Sequence, residues 1–257
     1  MNFLKDDEEL IALTPQSKKQ LEIPIEAGMV QRSVLAVYNR LGGLMEVLAE
    51  RVQLEPASMI AVWYVESSGL AFVPRRAVMR LEVHQLYDIW GKRNRTVFDS
   101  HFRFGGHNGQ GGNPWENQEY RTQDTGGFHA VHHNQSSEYA AITLAQIIAG
   151  DETAFTCASI GGCQLMMNSF RTLGYESAKE MYTAFQTSEN FHVLTFLDFC
   201  SWKSAPKSGD LLTYLRIRDW TNFAKYYNGK GQFAAYALKL KDAYEIAARA
   251  LKMPKAA

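Results

Sequence analysis

Apolar residues along this chain fall into two textures. Over Val30, Val34, Val37, Leu41, Met45, Leu48 and Val52 they recur at steps of three and four, which is one face of a helix, with Gly42-Gly43 the natural place for a kink or a break. From Pro56 to Ser67 the pattern closes up: Met59, Ile60, Val62, Trp63 and Val65 leave almost no polar face, as in a helix buried on most sides. Pro56 suits the first turn of that helix, where a missing N–H costs nothing, and Ser67-Ser68-Gly69 is a stop signal. Between Phe72 and about Gln135 the texture changes. Glycines cluster at 105, 106, 109, 111, 112, 126 and 127 among Asn, Gln, His and aromatics, and no helical period persists beyond Trp90. A segment this long is a functional loop or an insertion, with room for short strands.

After Ser136-Ser137 the helical periods return. Tyr139, Ile142, Leu144, Ile147 and Ile148 run to Gly150, and a short helix near 152–158 leads into Ser159-Ile-Gly-Gly-Cys-Gln-Leu-Met. Ser177-Ala-Lys-Glu180 is a capping box opening a helix to about Gln186. Further helices are marked by Phe191 to Cys200, Leu211 to Leu215, Arg218 to Tyr227 ending at Asn228-Gly229, and Phe233 to Leu251. Residues 1–25 are charged and irregular and read as a lead-in arm. Residues 26–257, without internal repeats or low-complexity linkers, read as one mostly helical domain interrupted by an insertion at about 88–135.

One acid, Glu66, sits at the end of the most apolar helix. Partial desolvation and the negative end of the helix dipole both favour the protonated carboxyl, as a general acid needs. The competing reading is a first solvated residue after a core helix, its charge turned to water.

Composition narrows the field. With 257 residues, 46% hydrophobic and 21% charged, the chain can bury a sizeable core. Its 27 basic and 27 acidic residues cancel, so no nucleic-acid partner is expected. The N-terminus carries acids where a secretion signal would be apolar, and no run approaches the ~18 apolar residues of a membrane span. Synthesis in the cytoplasm without a signal peptide, and no membrane insertion, are therefore expected. Cys157, Cys163 and Cys200 are too scattered for a disulfide framework and read as small core residues. His129, His132 and His133, with His101 and His107 upstream, could offer imidazoles to zinc, but no acid completes a known pattern, so neither metal nor cofactor is expected.

Three short stretches then appear in a fixed order: Glu66-Ser67-Ser68-Gly69, Ser159 to Met166 with Gly161-x-x-Gln164, and Tyr226-Tyr227-Asn228-Gly229. That order resembles the lysozyme-like superfamily, in which a Glu-Ser, a Gly-x-x-Gln and a Tyr-Asn follow one another around one cleft. With Leu81-Glu82-Val83-His84 added, and a final helix bearing Leu238, Leu240 and Tyr244, the chain resembles the bacterial and phage N-acetylmuramidase family found as endolysins. The likeness spans about Leu54 to Tyr244. It departs at Ile160, Gly162-Cys163 and Val83, and the segment from about Tyr87 to Gln135 looks expanded, which bears on substrate subsites more than on the acid.

The resemblance implies a mainly α, lysozyme-like (α+β) fold and a bacteriolytic hydrolase that cleaves the MurNAc-GlcNAc bond of peptidoglycan with Glu66 as general acid. The group meeting positive charge at the anomeric carbon is open among Glu82, Asp124, Glu119 and Glu138, since spacing does not choose among them. Glu82 also reads as a structural acid paired with Arg80 or His84. Ser67, His84, Ser159, Gln164, Met166, Tyr227 and Asn228 are the expected substrate-binding residues, with Ser159 and Asn228-Gly229 alternatively capping helices. Trp115, Tyr120 and Phe128 would stack on sugars or anchor the insertion. Alternatives are a lytic transglycosylase, or a catalytically inactive peptidoglycan-binding module of a phage tail or contractile injection apparatus. A signal-less wall hydrolase would reach the wall by lysis, holin release or injection.

Overall fold

The computed structural model describes residues 3–205, 209–229, 231 and 233–252; Met1 and Asn2 of the lead-in arm and residues 253–257 lie outside the described residues. In chain order the helices are α1 (Glu8–Ala12), α2 (Met29–Val52), α3 (Pro56–Ser67), α4 (Val83–Ile89), α5 (Arg95–His101), α6 (Gln135–Ala149), α7 (Asp151–Thr156), α8 (Ala178–Thr187), α9 (Glu189–Trp202), α10 (Leu211–Arg216), α11 (Trp220–Tyr227) and α12 (Phe233–Lys252). The strands are β1 (Met79–Leu81), β2 (Phe102–Arg103), β3 (Glu119–Tyr120), β4 (His129–Ala130), β5 (Ala158–Ile160), β6 (Leu165–Met166), β7 (Ser204–Ala205) and β8 (Gly209–Asp210). The protein is thus mostly helical with small sheets. Contacts gather it into two compact units, Met1–Ala71 with Ser188–Ala257, and Phe72–Thr187. No helix among the described residues is long and apolar enough to cross a membrane.

In the first unit α3 packs against α2 and α12. Its residues Met59 to Trp63 are 0% exposed, so each large side chain there contributes about 1.5–3 kcal/mol of burial. Pro56 occupies the first turn as its fixed φ predicts, and Ser68 ends the helix in the left-handed conformation (φ 55°). Helix α2 runs unbroken through Gly42-Gly43, where the sequence suggested a kink or a break. The glycines serve a crossing instead: a Cβ on Gly43 would stand 2.3 Å from the Gln16 carbonyl oxygen. The Ser17 amide donates to the Asn39 carbonyl (3.2 Å) across the same contact.

The lead-in arm, expected to be irregular, is ordered over its described residues. A 3-10 turn at Leu4–Asp6 and α1 are held by two buried side chains of α9. Asp198 accepts from the amides of Leu4 (2.8 Å) and Lys5 (3.1 Å), and burial pushes its carboxyl up to about 6 against the pull of those amides. The Asn190 amide nitrogen donates to the carbonyls of Leu10, Ile11 and Leu13 at 2.8–3.1 Å. Charge along the arm concealed this, because the partners lie about 180 residues downstream. Helix α12 buries Ala237, Leu240, Ala243, Tyr244 and Ala247, while Leu238 is 61% exposed.

In the second unit β1 pairs antiparallel with β5 and β5 with β6, in the register Met79↔Ile160 and Ser159↔Met166. The stretch expected to turn into a helix after Ser159 is therefore a β-hairpin. A second sheet, β2-β3-β4, forms within the glycine-rich segment, and α5 precedes it. Only Phe98 of α5 is buried, too sparse a pattern for a helical period to show. All three cysteines are buried thiols, and burial pushes the Cys157 thiol up to about 12.

Asn190→Ala removes a side chain that bonds to three carbonyls of the arm. It is expected to cost roughly 2–3 kcal/mol, seen as a lower urea midpoint with an unchanged m-value.

Candidate active site

Glu66 lies in the last turn of α3, and the residue is half-buried. The apolar helix and its neighbours strip water from the carboxyl, and this desolvation pushes it from its ordinary value up to about 8. Hydrogen bonds from Asn228 and Tyr236 pull the other way without cancelling the effect. The Tyr236 hydroxyl donates to Oε2 at 3.4 Å. At neutral pH burial therefore favours the protonated carboxyl.

The support around Glu66 is built from residues distant in sequence. One turn before it, Trp63 donates from Nε1 to Glu189 Oε1 (3.3 Å) and meets Phe196 edge-on at 6.5 Å. Arg40 of α2 holds the same Glu189 through both oxygens, at 2.8 and 3.0 Å, and also donates to the Gly69 carbonyl. Gly69 is required: its φ is +84°, and a Cβ would come 2.8 Å from Val37 Cγ2. Ser67 turns its hydroxyl back to the Trp63 carbonyl (3.2 Å). Asn228 caps α11, and Gly229 follows at φ +91°. Tyr227 stacks on Phe223 at 5.1 Å and meets Phe196 and Phe199 edge-on. Tyr236, Arg40 and Glu189 escaped the sequence reading. The signal available for Tyr236 was its place four residues before Leu240 on the inner side of α12.

The second unit brings Ser159, Gln164 and Met166 together on one hairpin. Ser159 donates from Oγ to Gln164 Oε1 (2.9 Å), and Gln164 Nε2 donates to the Gly161 carbonyl (2.8 Å). Both ends of the Gln164 amide thus latch the turn, which Gly161 (φ +81°) and Gln164 itself (φ +49°) enter in the left-handed region. Met166, half-buried, faces Ser159 across the ladder. Ser159 starts no helix here; it locks a turn.

Glu82 is 15% exposed and held from three directions. Arg80 donates to Oε1 (2.9 Å), Gln118 donates to Oε2 (3.0 Å), and His84 Nδ1 lies 3.5 Å away. Gln118, itself buried, also accepts from the Val83 amide and ties the glycine-rich segment to this acid. Of the other acids considered, Glu138 is buried, accepting from the Leu81 amide (2.9 Å) and contacting His132 (2.7 Å). Glu119 pairs with Arg103, and Asp124 lies exposed on the loop that follows β3. His129 and His133 are exposed, and among the described residues no three His, Cys, Asp or Glu side chains converge as metal ligands.

The model of the N-acetylmuramidase family matches residues 55–248, a span that includes Glu66, Glu82, the hairpin and Asn228. Among solved structures the chain is similar to the Burkholderia AP3 phage endolysin, at 27% identity and a TM-score of 0.58, covering 80% of this chain and 70% of that one. No curated protein matches.

Because the folded carboxyl of Glu66 is raised from 4.5 to about 8, its contribution to stability is fully present below about pH 4.5 and is lost as pH rises through 8. Glu66→Gln, which keeps the neutral shape, is expected to melt higher than the parent at about pH 9. At about pH 4 the two should melt together in scanning calorimetry.

Proposed function

We propose, from the premise that this chain belongs to the N-acetylmuramidase family, that Glu66 is the general acid with which it cuts the MurNAc-GlcNAc backbone of peptidoglycan. Family membership makes it a peptidoglycan-degrading glycosidase; the assignment to Glu66 rests on one observation, a carboxyl in the last turn of the most apolar helix that burial keeps protonated up to about pH 8. Protonating the glycosidic oxygen converts a poor leaving group into an alcohol as the C–O bond breaks, and positive charge builds at the anomeric carbon. Water then adds to that carbon and gives up its proton, completing hydrolysis. Hydrophobic surroundings that raise a glutamate until it can donate a proton near neutral pH are a general route to such an acid in glycosidases.

For the group that answers the positive charge the resemblance offers Glu82, and its own surroundings in the second unit support that reading. Arg80 and Gln118 hold it in one orientation, and a charge already oriented costs no reorganisation when the transition state forms. Glu138 has both oxygens engaged inside the fold, and Asp124 lies exposed on its loop. Asn228 positions Glu66 by its hydrogen bond, while Ser67 and Tyr227 act through the packing that sets the helix end. The Ser159–Gln164 hairpin with Met166, together with His84, is assigned to sugar binding. Gln164, with its amide occupied, contributes through the shape of the turn.

On purified sacculi, kcat/KM is expected to fall as pH rises through about 8, and Glu66→Gln to lose at least about a thousandfold in activity. Mass spectrometry should find reducing ends; anhydro-muramyl ends would replace hydrolysis with transglycosylation. A wild-type chain without wall-degrading activity would leave only an inactive binding module.

Glu82→Gln is expected to lower kcat by about a hundredfold with little change in KM. If Asp124→Asn did this and Glu82→Gln did not, the second role would pass to Asp124.

A further inference from the structure

Within the second unit, the glycine-rich segment builds a pocket of about 510 Å³ that adjoins the surroundings of Glu82 through His84 and through Trp115, whose carbonyl accepts from Gln118 Nε2 (3.3 Å). Its lining includes Tyr87, Asp88 and Lys92 from α4 and the turn after it, and Phe104, His107 and Trp115 from the glycine-rich segment. The volume falls within the range of small-molecule sites.

The pocket is already formed. His107 stacks on Phe104 at 4.7 Å and packs on Tyr87 at 4.5 Å, and its Nε2 is fixed by Asp99 Oδ1 at 2.8 Å. Gly91 lets Tyr87 and Phe98 close on each other, since a Cβ there would lie 2.6 Å from Phe98. The loop behind the pocket is laced internally, with the Gly105 amide on the Glu116 carbonyl (2.8 Å) and the Gly106 amide on the Gln110 carbonyl (2.9 Å). A Cβ at Gly105 would sit 2.3 Å from the Asn113 carbonyl oxygen, so the turn tolerates glycine alone. Tyr120 and Phe128 anchor this segment. Tyr120 is buried, and Phe128 lies between the guanidinium groups of Arg103 (4.1 Å) and Arg121 (4.5 Å). Trp115 is different: it lines the pocket and is 59% exposed.

Charge in and around the pocket is already balanced. Lys92 pairs with Asp88 at 2.8 Å, and Arg95, whose guanidinium donates to the Tyr87 hydroxyl, pairs with Asp99. An acidic ligand would find each of these cations occupied. A neutral ring with a face of polarised C–H bonds fits, because such a face is attracted to the negative face of an indole or phenol ring. The Lys92–Asp88 pair can meanwhile donate and accept for hydroxyl and amide groups.

We propose that this pocket binds a neutral N-acetylhexosamine unit, of the N-acetylglucosamine kind, with its sugar face on Trp115. The choice of a glycan rests on the muramidase reading. The preference for the uncharged sugar over its lactyl-bearing neighbour comes from the paired charges.

The test uses the full chain carrying Glu66→Gln, labelled with 5-fluorotryptophan, whose five indole resonances are assigned by substitution. The probe is the β-1,4-linked tetramer of N-acetylglucosamine. The Trp115 resonance is expected to shift saturably. Trp115→Ala, with an unchanged circular dichroism spectrum, is expected to weaken retention on purified sacculi about tenfold. A Trp115 resonance that stays still while another indole responds would overturn the proposal, as would a shift driven equally well by a neutral oligosaccharide without acetamido groups. Wild-type activity on sacculi is read separately, so a failure of the Glu66 assignment and a failure of this pocket give different results.

Discussion

A carboxyl group kept partly out of water at the end of an apolar helix is the constraint to which the first unit answers. The helix must be buried nearly all round to strip the group of hydration, yet its last turn must stay open if a substrate is to reach it. The structure reconciles these by stopping α3 abruptly at Ser68 and Gly69. It then fastens the stop with Arg40, whose guanidinium also grips the glutamate that holds Trp63. A short loop, a clamp across 149 residues and one indole thus fix where the acid ends up.

The second unit solves a different problem with short elements. Its strands are two or three residues long and cannot hold a sheet together by ladder bonds alone. Side chains complete the work: the Gln164 amide closes the β5–β6 turn, Gln118 ties the glycine-rich segment to the start of α4, and Gln135 bonds the Met79 backbone through both ends of its amide, at 2.9 and 2.8 Å. Three glutamines used in this way join elements too short to be held by their ladder bonds.

What was legible in the sequence follows from range. Helix α3 could be read because its signals are local: an unbroken apolar run, a proline in the first turn and a serine-glycine stop. Glu66 could be singled out for the same reason. A partner acid could not be chosen in the same way, because Glu82 is oriented by Arg80 and Gln118, and nothing local marks Gln118 as a partner 36 residues away. The hairpin reads in the sequence as a turn into a helix, since strands of two and three residues carry no period. Gly42-Gly43 looked like a weakness of α2 and is a contact surface, a distinction that depends on what crosses the helix and not on the helix itself.

The first unit is discontinuous, and this bears on the order in which a ribosome can finish it. Glu66 emerges early, while Tyr236, which donates to it, is separated from it by 170 residues, and the whole second unit is made in between. Until α11 and α12 have emerged, α3 lacks part of the surface that desolvates Glu66. A chain assembled in this way has no desolvated Glu66 until α12 has been made.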